Sequence, residues 1–188
     1  MRPQPVKDYS SVLDVLVQPG CPMCAFLRNS QAALIQDETD PGSALCNFHG
    51  WGVAAVRDSA SAAEVLLPFL DSLDPASRVA SAECWICSRL RQQENSVLAD
   101  LTSTEHQNRI QIWLKTRGAF CAPHAAKVKR KAPLRMAALI DESNARKRRE
   151  LKKVLAMLIS RSDPVLSEHS GLVGQVAEYL VSQRGLPI

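Results

Sequence analysis

The chain has 188 residues, a formal net charge of +4, 46% hydrophobic and only 5% aromatic residues. That length allows one domain or two small ones, and the shortage of aromatics points to small, closely packed helices reinforced by metal rather than a large apolar core. No run of 18 or more apolar residues is present, which argues against a membrane span.

Residues 1–20 start as a Pro-rich lead-in, followed by the apolar stretch Val12, Leu13, Val15, Leu16 and Val17. Asp8 and Asp14 interrupt what would have to be the apolar region of a signal peptide. Gln18 and Pro19 argue in the same way against reading Val17–Cys21 as a lipoprotein signal. A cytoplasmic location is the expectation.

Cys21-Pro22-Met23-Cys24 follows, and after 21 residues comes Cys46-Asn47-Phe48-His49. Between them, good helix formers over 25–36 carry Phe26, Leu27, Leu34 and Ile35 as a candidate buried side, and 37–42 is a break. A helix is expected from Asn47 through Trp51 towards Arg57. Ser59 or Ser61 would cap the next, which carries Val65, Leu66, Leu67, Phe69, Leu70 and Leu73 and would be kinked at Pro68 or have its first turn there.

Asp74-Pro75-Ala76-Ser77 reads as a module boundary, dividing the chain into 1–74, 75–132 and 133–188, the last a basic amphipathic helix plus a final helix, all packed as one unit. The second module repeats the pattern as Cys84-Trp85-Ile86-Cys87 and, after 33 residues, Cys121-Ala122-Pro123-His124. Its linker is longer by enough to hold extra helical turns. One helix runs from Ser88 to about Leu101 with Leu90, Val97 and Leu98 apolar. A second, capped by Thr102 or Ser103, contains Ile110, Ile112, Trp113 and Leu114 and ends at Gly118. His124 opens a further helix that stops before Pro133. Leu134–Ile159 reads as a long amphipathic helix with Leu139, Ile140, Leu151, Val154, Leu155 and Leu158 inward and 146–149 in solvent. Ser162-Asp163-Pro164 breaks the chain, and Leu172–Val181 forms the last helix. No period-two pattern longer than a few residues occurs, so the expected fold is all-α.

All six cysteines and two of the four histidines lie in the two frames. Three thiolates and one imidazole make a full tetrahedral set for zinc, so two Zn2+ per chain are expected, held by Cys21, Cys24, Cys46, His49, Cys84, Cys87, Cys121 and His124. A tight turn at each CxxC, favoured by Pro22 in the first, would fold two sulfurs together. At each CxxH, residues i and i+3 share a face at a helix start, where free N–H groups favour anionic sulfur. Gly42 and Gly118 would free the backbone ahead of Cys46 and Cys121. Since each frame is complete, pairing within frames is the simpler assignment; the exchange, Cys21 and Cys24 with Cys121 and His124, would keep the same ligand types.

Competing readings of the cysteines are weaker. Three disulfides would leave His49 and His124 unexplained and need an oxidising compartment. Haem attachment needs CxxCH, but Ala25 and Ser88 follow the CxxC motifs. An iron–sulfur or thiol-redox protein is the main alternative, since Cys₃His can hold clusters.

The tandem pattern resembles a bacterial family of uncharacterised function whose members carry two CPxC…G-x-CxxH modules separated by helices. The likeness covers about residues 18–130. It departs at Trp85, which stands for the second proline, and at the glycine upstream of Cys46, which lies four residues away. The family implies metal ligands at the eight positions and leaves the function open.

Catalysis is not indicated. There is no P-loop, HExxH, GxSxG or dinucleotide fingerprint, four ligands per frame leave no open metal position, and His106 and His169 read as surface or capping residues. Charge is the remaining signal: residues 109–153 hold 14 Lys/Arg against three acids. The Lys127–Lys153 stretch therefore offers a face for an acidic protein or a nucleic acid.

Overall fold

The structure, a computed structural model, describes residues 12–18, 20–37, 45–71, 84–160 and 166–181. Among them are one 3₁₀ turn, Val12–Val15, eight α-helices and no strand. The helices are α1 (Pro22–Asp37), α2 (Asn47–Val56), α3 (Ser59–Asp71), α4 (Trp85–Thr102), α5 (Gln107–Thr116), α6 (Ala122–Lys131), α7 (Leu134–Ser160) and α8 (Leu166–Val181). The all-α expectation is met. The boundary read at 74–77 and the break at 162–164 lie outside the described residues.

Two compact units divide the chain: the first takes Leu27–Glu94, the second Tyr9–Phe26 together with Asn95–Leu186. In the first unit Leu27, Leu34 and Ile35 of α1, Val53 of α2, Ala62 and Val65 of α3, and Trp85, Ile86 and Leu90 of α4 are buried. The α2–α3 pair packs together, and Arg57 reaches back to donate to the Ile35 carbonyl. Neither Ser59 nor Ser61 caps α3. Asp58 does, its Oδ1 accepting from the N–H groups of Ala60 and Ser61, both at 3.1 Å, because its carboxylate stands one residue before the first turn. Helix α3 runs on through Pro68 to Asp71.

The second unit has a continuous core of Val15, Met23, Ala25, Val97, Leu98, Leu101, Ile110, Trp113, Leu114, Phe120, Ala125, Val128, Met136 and Ile140. A smaller cluster joins Leu151 of α7 to Val176 and Tyr179 of α8. Thr102 and Ser103 close α4 rather than open α5: their hydroxyls donate to carbonyls three and four residues back, the alternative use of Ser and Thr at helix ends. Helix α5 instead starts behind His106, which makes no side-chain cap bond.

Ile112 is exposed, so α5 buries Ile110, Trp113 and Leu114 only. Arg146, expected in solvent, turns to α5 and donates to the carbonyls of Leu114 (2.8 Å), Lys115 and Gly118 (both 3.3 Å). The unpaired carbonyls at a helix C-terminus carry negative partial charge, and a guanidinium satisfies several at once. Arg148 and Arg149 stay exposed as expected. Helix α8 begins at Leu166, six residues earlier than its apolar pattern suggests.

Candidate metal centres

Each of the four Cys-x-x-Cys/His segments adopts one local form. Its first cysteine stands immediately before a helix and its second ligand is the third helical residue: Cys21 and Cys24 on α1, Cys46 and His49 on α2, Cys84 and Cys87 on α4, Cys121 and His124 on α6. The first cysteine's carbonyl already accepts the opening helical bond, from Ala25 (3.0 Å), Gly50 (2.9 Å), Ser88 (2.9 Å) and Ala125 (2.8 Å). The CxxC motifs are therefore helix starts, not separate tight turns. Pro22 fits because the first helical position needs no N–H and favours its fixed φ. At Cys46 and Cys121 the backbone is extended and the side chain makes no cap bond, which leaves the sulfur for the site.

Gly118 has another role than the one expected of it. Its φ is not positive; a Cβ there would collide with the Trp113 ring. Trp113 in turn packs edge-on against Phe120, centroids 5.2 Å apart. The glycine lets a buried indole lie on the strand of backbone that leads to Cys121. Gly42 lies outside the described residues.

The side chains converge in two groups of four, Cys21, Cys24, Cys121 and His124 in the second unit and Cys46, His49, Cys84 and Cys87 in the first, with the ligand atoms of each group within 4.8 Å of one another. The pairing within frames is thereby corrected: each CxxC meets the CxxH of the other frame. The second unit's core supplies the reason, since Met23 and Ala25 beside Cys24 and Phe120 and Ala125 beside Cys121 belong to one apolar cluster.

The distances decide how the groups are to be read. His124 Nδ1 lies 3.1 Å from Cys121 Sγ, 3.3 Å from Cys24 Sγ and 3.6 Å from Cys21 Sγ. His49 Nδ1 lies 3.3 Å from both Cys46 Sγ and Cys84 Sγ and 3.4 Å from Cys87 Sγ. One imidazole nitrogen has a single lone pair or a single proton, so it cannot hydrogen-bond three sulfurs. A tetrahedral zinc with bonds of about 2.3 Å to sulfur and about 2.0 Å to nitrogen has S···N edges of about 3.5 Å and S···S edges of about 3.8 Å. The Sγ–Sγ separations, 3.7 Å for Cys24–Cys121 and 3.9 Å for Cys46–Cys87, match the latter. Both groups are of the Cys₃His type and could hold a metal ion.

Within each group the crowded thiols shift in opposite directions. Burial, then contact with the Cys121 and Cys24 sulfurs, pushes the Cys21 thiol well up, while hydrogen bonds from Cys121 and Cys21 hold Cys24 far down. In the first unit burial and the Cys84 sulfur push Cys87 up to about 12. Burial raises Cys46 too, but the His49 N–H and the Cys84 and Cys87 thiols outweigh it and leave it lowered. A divalent cation allows all three thiolates and releases the retained protons. Burial also lowers His49, keeping its imidazole neutral as a ligand must be.

Sequence reasoning missed Gln31, whose side-chain amide lies 3.1 Å from His49 Nε2. The atom placed there is Gln31 Nε2, itself a donor; with Nδ1 turned to the sulfurs His49 Nε2 carries the proton, so the amide turned over, with Oε1 accepting, fixes the ring's orientation. The signal was present: Gln31 shares a helix face with Leu27, Leu34 and Ile35, a polar residue in a buried stripe. His106 stands at the start of α5, away from both groups, and the side chain of His169 lies outside those described.

No family model matches the chain, and no curated protein or solved structure is significantly similar to it. Among the described residues no helix is long and apolar enough to cross a membrane.

Proposed function

We propose that the protein is a non-enzymatic zinc protein in which two structural Cys₃His sites pin helix N-termini together and so present a basic helical face to a partner. The observation that carries the metal reading is the trio of sulfurs around each Nδ1 at 3.1–3.6 Å. Four protein ligands leave no position for a water or substrate, which supports a structural role over a catalytic one. Ligand atoms all within 4.8 Å of one another suit a single ion better than an iron–sulfur cluster, whose thiolates are spread over several irons.

Elemental analysis of protein purified without added metal, with an absorption spectrum, tests this. Two zinc per chain and no visible colour are expected; iron with sulfide and brown charge-transfer bands would replace the reading with the iron–sulfur alternative.

The partner face is the outward side of α6 and α7, where Arg130, Lys131, Arg135, Arg148, Arg149, Lys152 and Lys153 are exposed, within the Lys127–Lys153 stretch. Lys129 is bound to Asp141, 2.7 Å from Oδ2, and Lys147 to Glu150 at 3.7 Å. An acidic protein surface or a nucleic-acid backbone complements such a face. If the partner is nucleic acid, affinity falls steeply between about 50 and 200 mM salt; a flat salt response in a fluorescence-anisotropy titration would exclude it.

A further inference from the structure

The two metal groups have the same ligand types but differ in how far solvent reaches them. In the second unit Cys24, Cys121 and His124 are buried, the last two to 2% exposure, and Cys21 is the one partly exposed ligand, with no second accessible sulfur to pair with. In the first unit His49 and Cys84 are buried, whereas Cys46 and Cys87 are only partly so. These two partly exposed sulfurs are also adjacent, with Sγ–Sγ at 3.9 Å.

We propose that Cys46 and Cys87 form a site of oxidation by hydroperoxides, whose closure to a disulfide empties the first unit's metal site while the second unit's site stays loaded. The metal release rests on the zinc reading above; the choice of sulfurs rests on access and distance. Distance alone would favour Cys24 and Cys121, which are closer at 3.7 Å. Access reverses that order, because both are buried and oxidation follows the exposure of the thiolate. Cys84, although within reach of Cys87, is buried as well.

The chemistry balances with the peroxide as oxidant. One of the two thiolates attacks the O–O bond, forming a sulfenic acid and releasing hydroxide after proton transfer. The other thiolate attacks that sulfur; the S–S bond forms, the S–O bond breaks and a second hydroxide leaves. Two thiolates lose two electrons, the peroxide gains them, and two protons from solvent complete two waters. The sulfurs must approach from 3.9 Å to about 2.05 Å. Cys87 stands in the first turn of α4 and Cys46 just before α2, so each needs only a side-chain rotation and a small shift of a helix end. His49 and Cys84 then remain, two ligands where a tetrahedral ion needs four.

The experiment uses the full chain as purified, whose metal content is measured first. Hydrogen peroxide is added in stoichiometric amounts, released metal is followed with a chromogenic chelator, and thiols are mapped by differential alkylation and mass spectrometry. The expected result is one metal equivalent released per chain and a Cys46–Cys87 linkage. Cys24 and Cys121 should stay reduced while Cys46 and Cys87 oxidise, because buried thiolates are the slower to react; dithiothreitol and added zinc should then restore the site. Simultaneous loss from both sites, a first linkage at Cys24–Cys121 or Cys84–Cys87, or oxidation without a linkage would overturn the proposal. Protein that arrives without metal would refute the zinc reading at the first step, and the alkylation map would still decide which sulfurs pair.

Discussion

In the second unit the candidate metal ligands rise out of a core: Met23, Phe120, Ala125 and Val128 lie beside them in sequence and belong to a cluster that runs on through α4, α5 and α7. The first unit has the same four ligand types, with Leu27, Leu34, Ile35, Val53, Val65, Trp85, Ile86 and Leu90 among its buried side chains. Its helix α2 has no charged residue, buries His49 and Val53, and turns Phe48 and Trp51 outward at 49% and 74% exposure. Leu67 of α3 is exposed too. A structural zinc contributes apparent free energies of about 10–16 kcal/mol in small peptides, as much as the whole stability of a typical domain. A helix such as α2, with Phe48 and Trp51 in solvent, would lean more on that contribution than α6, whose His124, Ala125 and Val128 are buried. The same ligand set would thus leave the two helices unequally dependent on an ion.

Ligand substitution should separate the units most sharply. With zinc bound as proposed, His49→Ala is expected to lose one zinc per chain and, with it, the helices α2 and α3, seen as a large drop in far-UV circular dichroism. His124→Ala should also lose one zinc yet keep most helical signal, with a lower melting temperature; equal losses of helix in the two variants would break the comparison. Acid acts in the same direction on the first unit. Burial holds His49 below its ordinary pKa of about 6.5, so the unfolded chain binds more protons and stability falls as pH drops through that value. Release of the ion proposed for the first unit is expected as pH falls below about 6.5, monitored by a metal indicator.

Packing gives smaller effects. Gly118→Ala forces a methyl into the Trp113 ring and should cost about 1–3 kcal/mol in denaturant unfolding of the second unit. Gly50→Ala meets nothing within 4 Å and should stabilise α2 by about 0.5–1 kcal/mol. Arg146→Ala uncovers three carbonyls at the end of α5 and should cost about 1–2 kcal/mol, measurable as a lower melting temperature with metal content unchanged.

Much of this molecule was legible in its sequence. The eight-residue pattern picks out the residues that converge, and the spacing of Leu90, Val97 and Leu98, or of Ile140 and Leu151, reports the buried faces of α4 and α7. The pairing of the halves was not legible, because either arrangement gives two Cys₃His sets; it depends on which apolar flanks share a core, a long-range property. The helix caps failed for a local reason. Asp58, Thr102 and Ser103 all have competent oxygens, and only the backbone direction decides whether such a residue opens a helix or closes one. Arg146 looked like one of four solvated cations, and only tertiary packing brings the end of α5 within its reach.

The exchanged pairing is also a nested one, like brackets within brackets. Cys46 and Cys87 lie 41 residues apart and Cys24 and Cys121 lie 97 apart, with the shorter span inside the longer. Closing the longer loop costs only about 0.8 kcal/mol more chain entropy, so thermodynamics barely distinguishes them. A ribosome does. Cys21, Cys24, Cys46 and His49 have all emerged by residue 49, before Cys84 and Cys87 exist. At about 5–20 residues per second the second CxxC follows about 2–8 s later. The order of synthesis therefore offers the first frame to itself, and the nested pairing forms only as Cys84 and Cys87 displace Cys21 and Cys24 from Cys46 and His49.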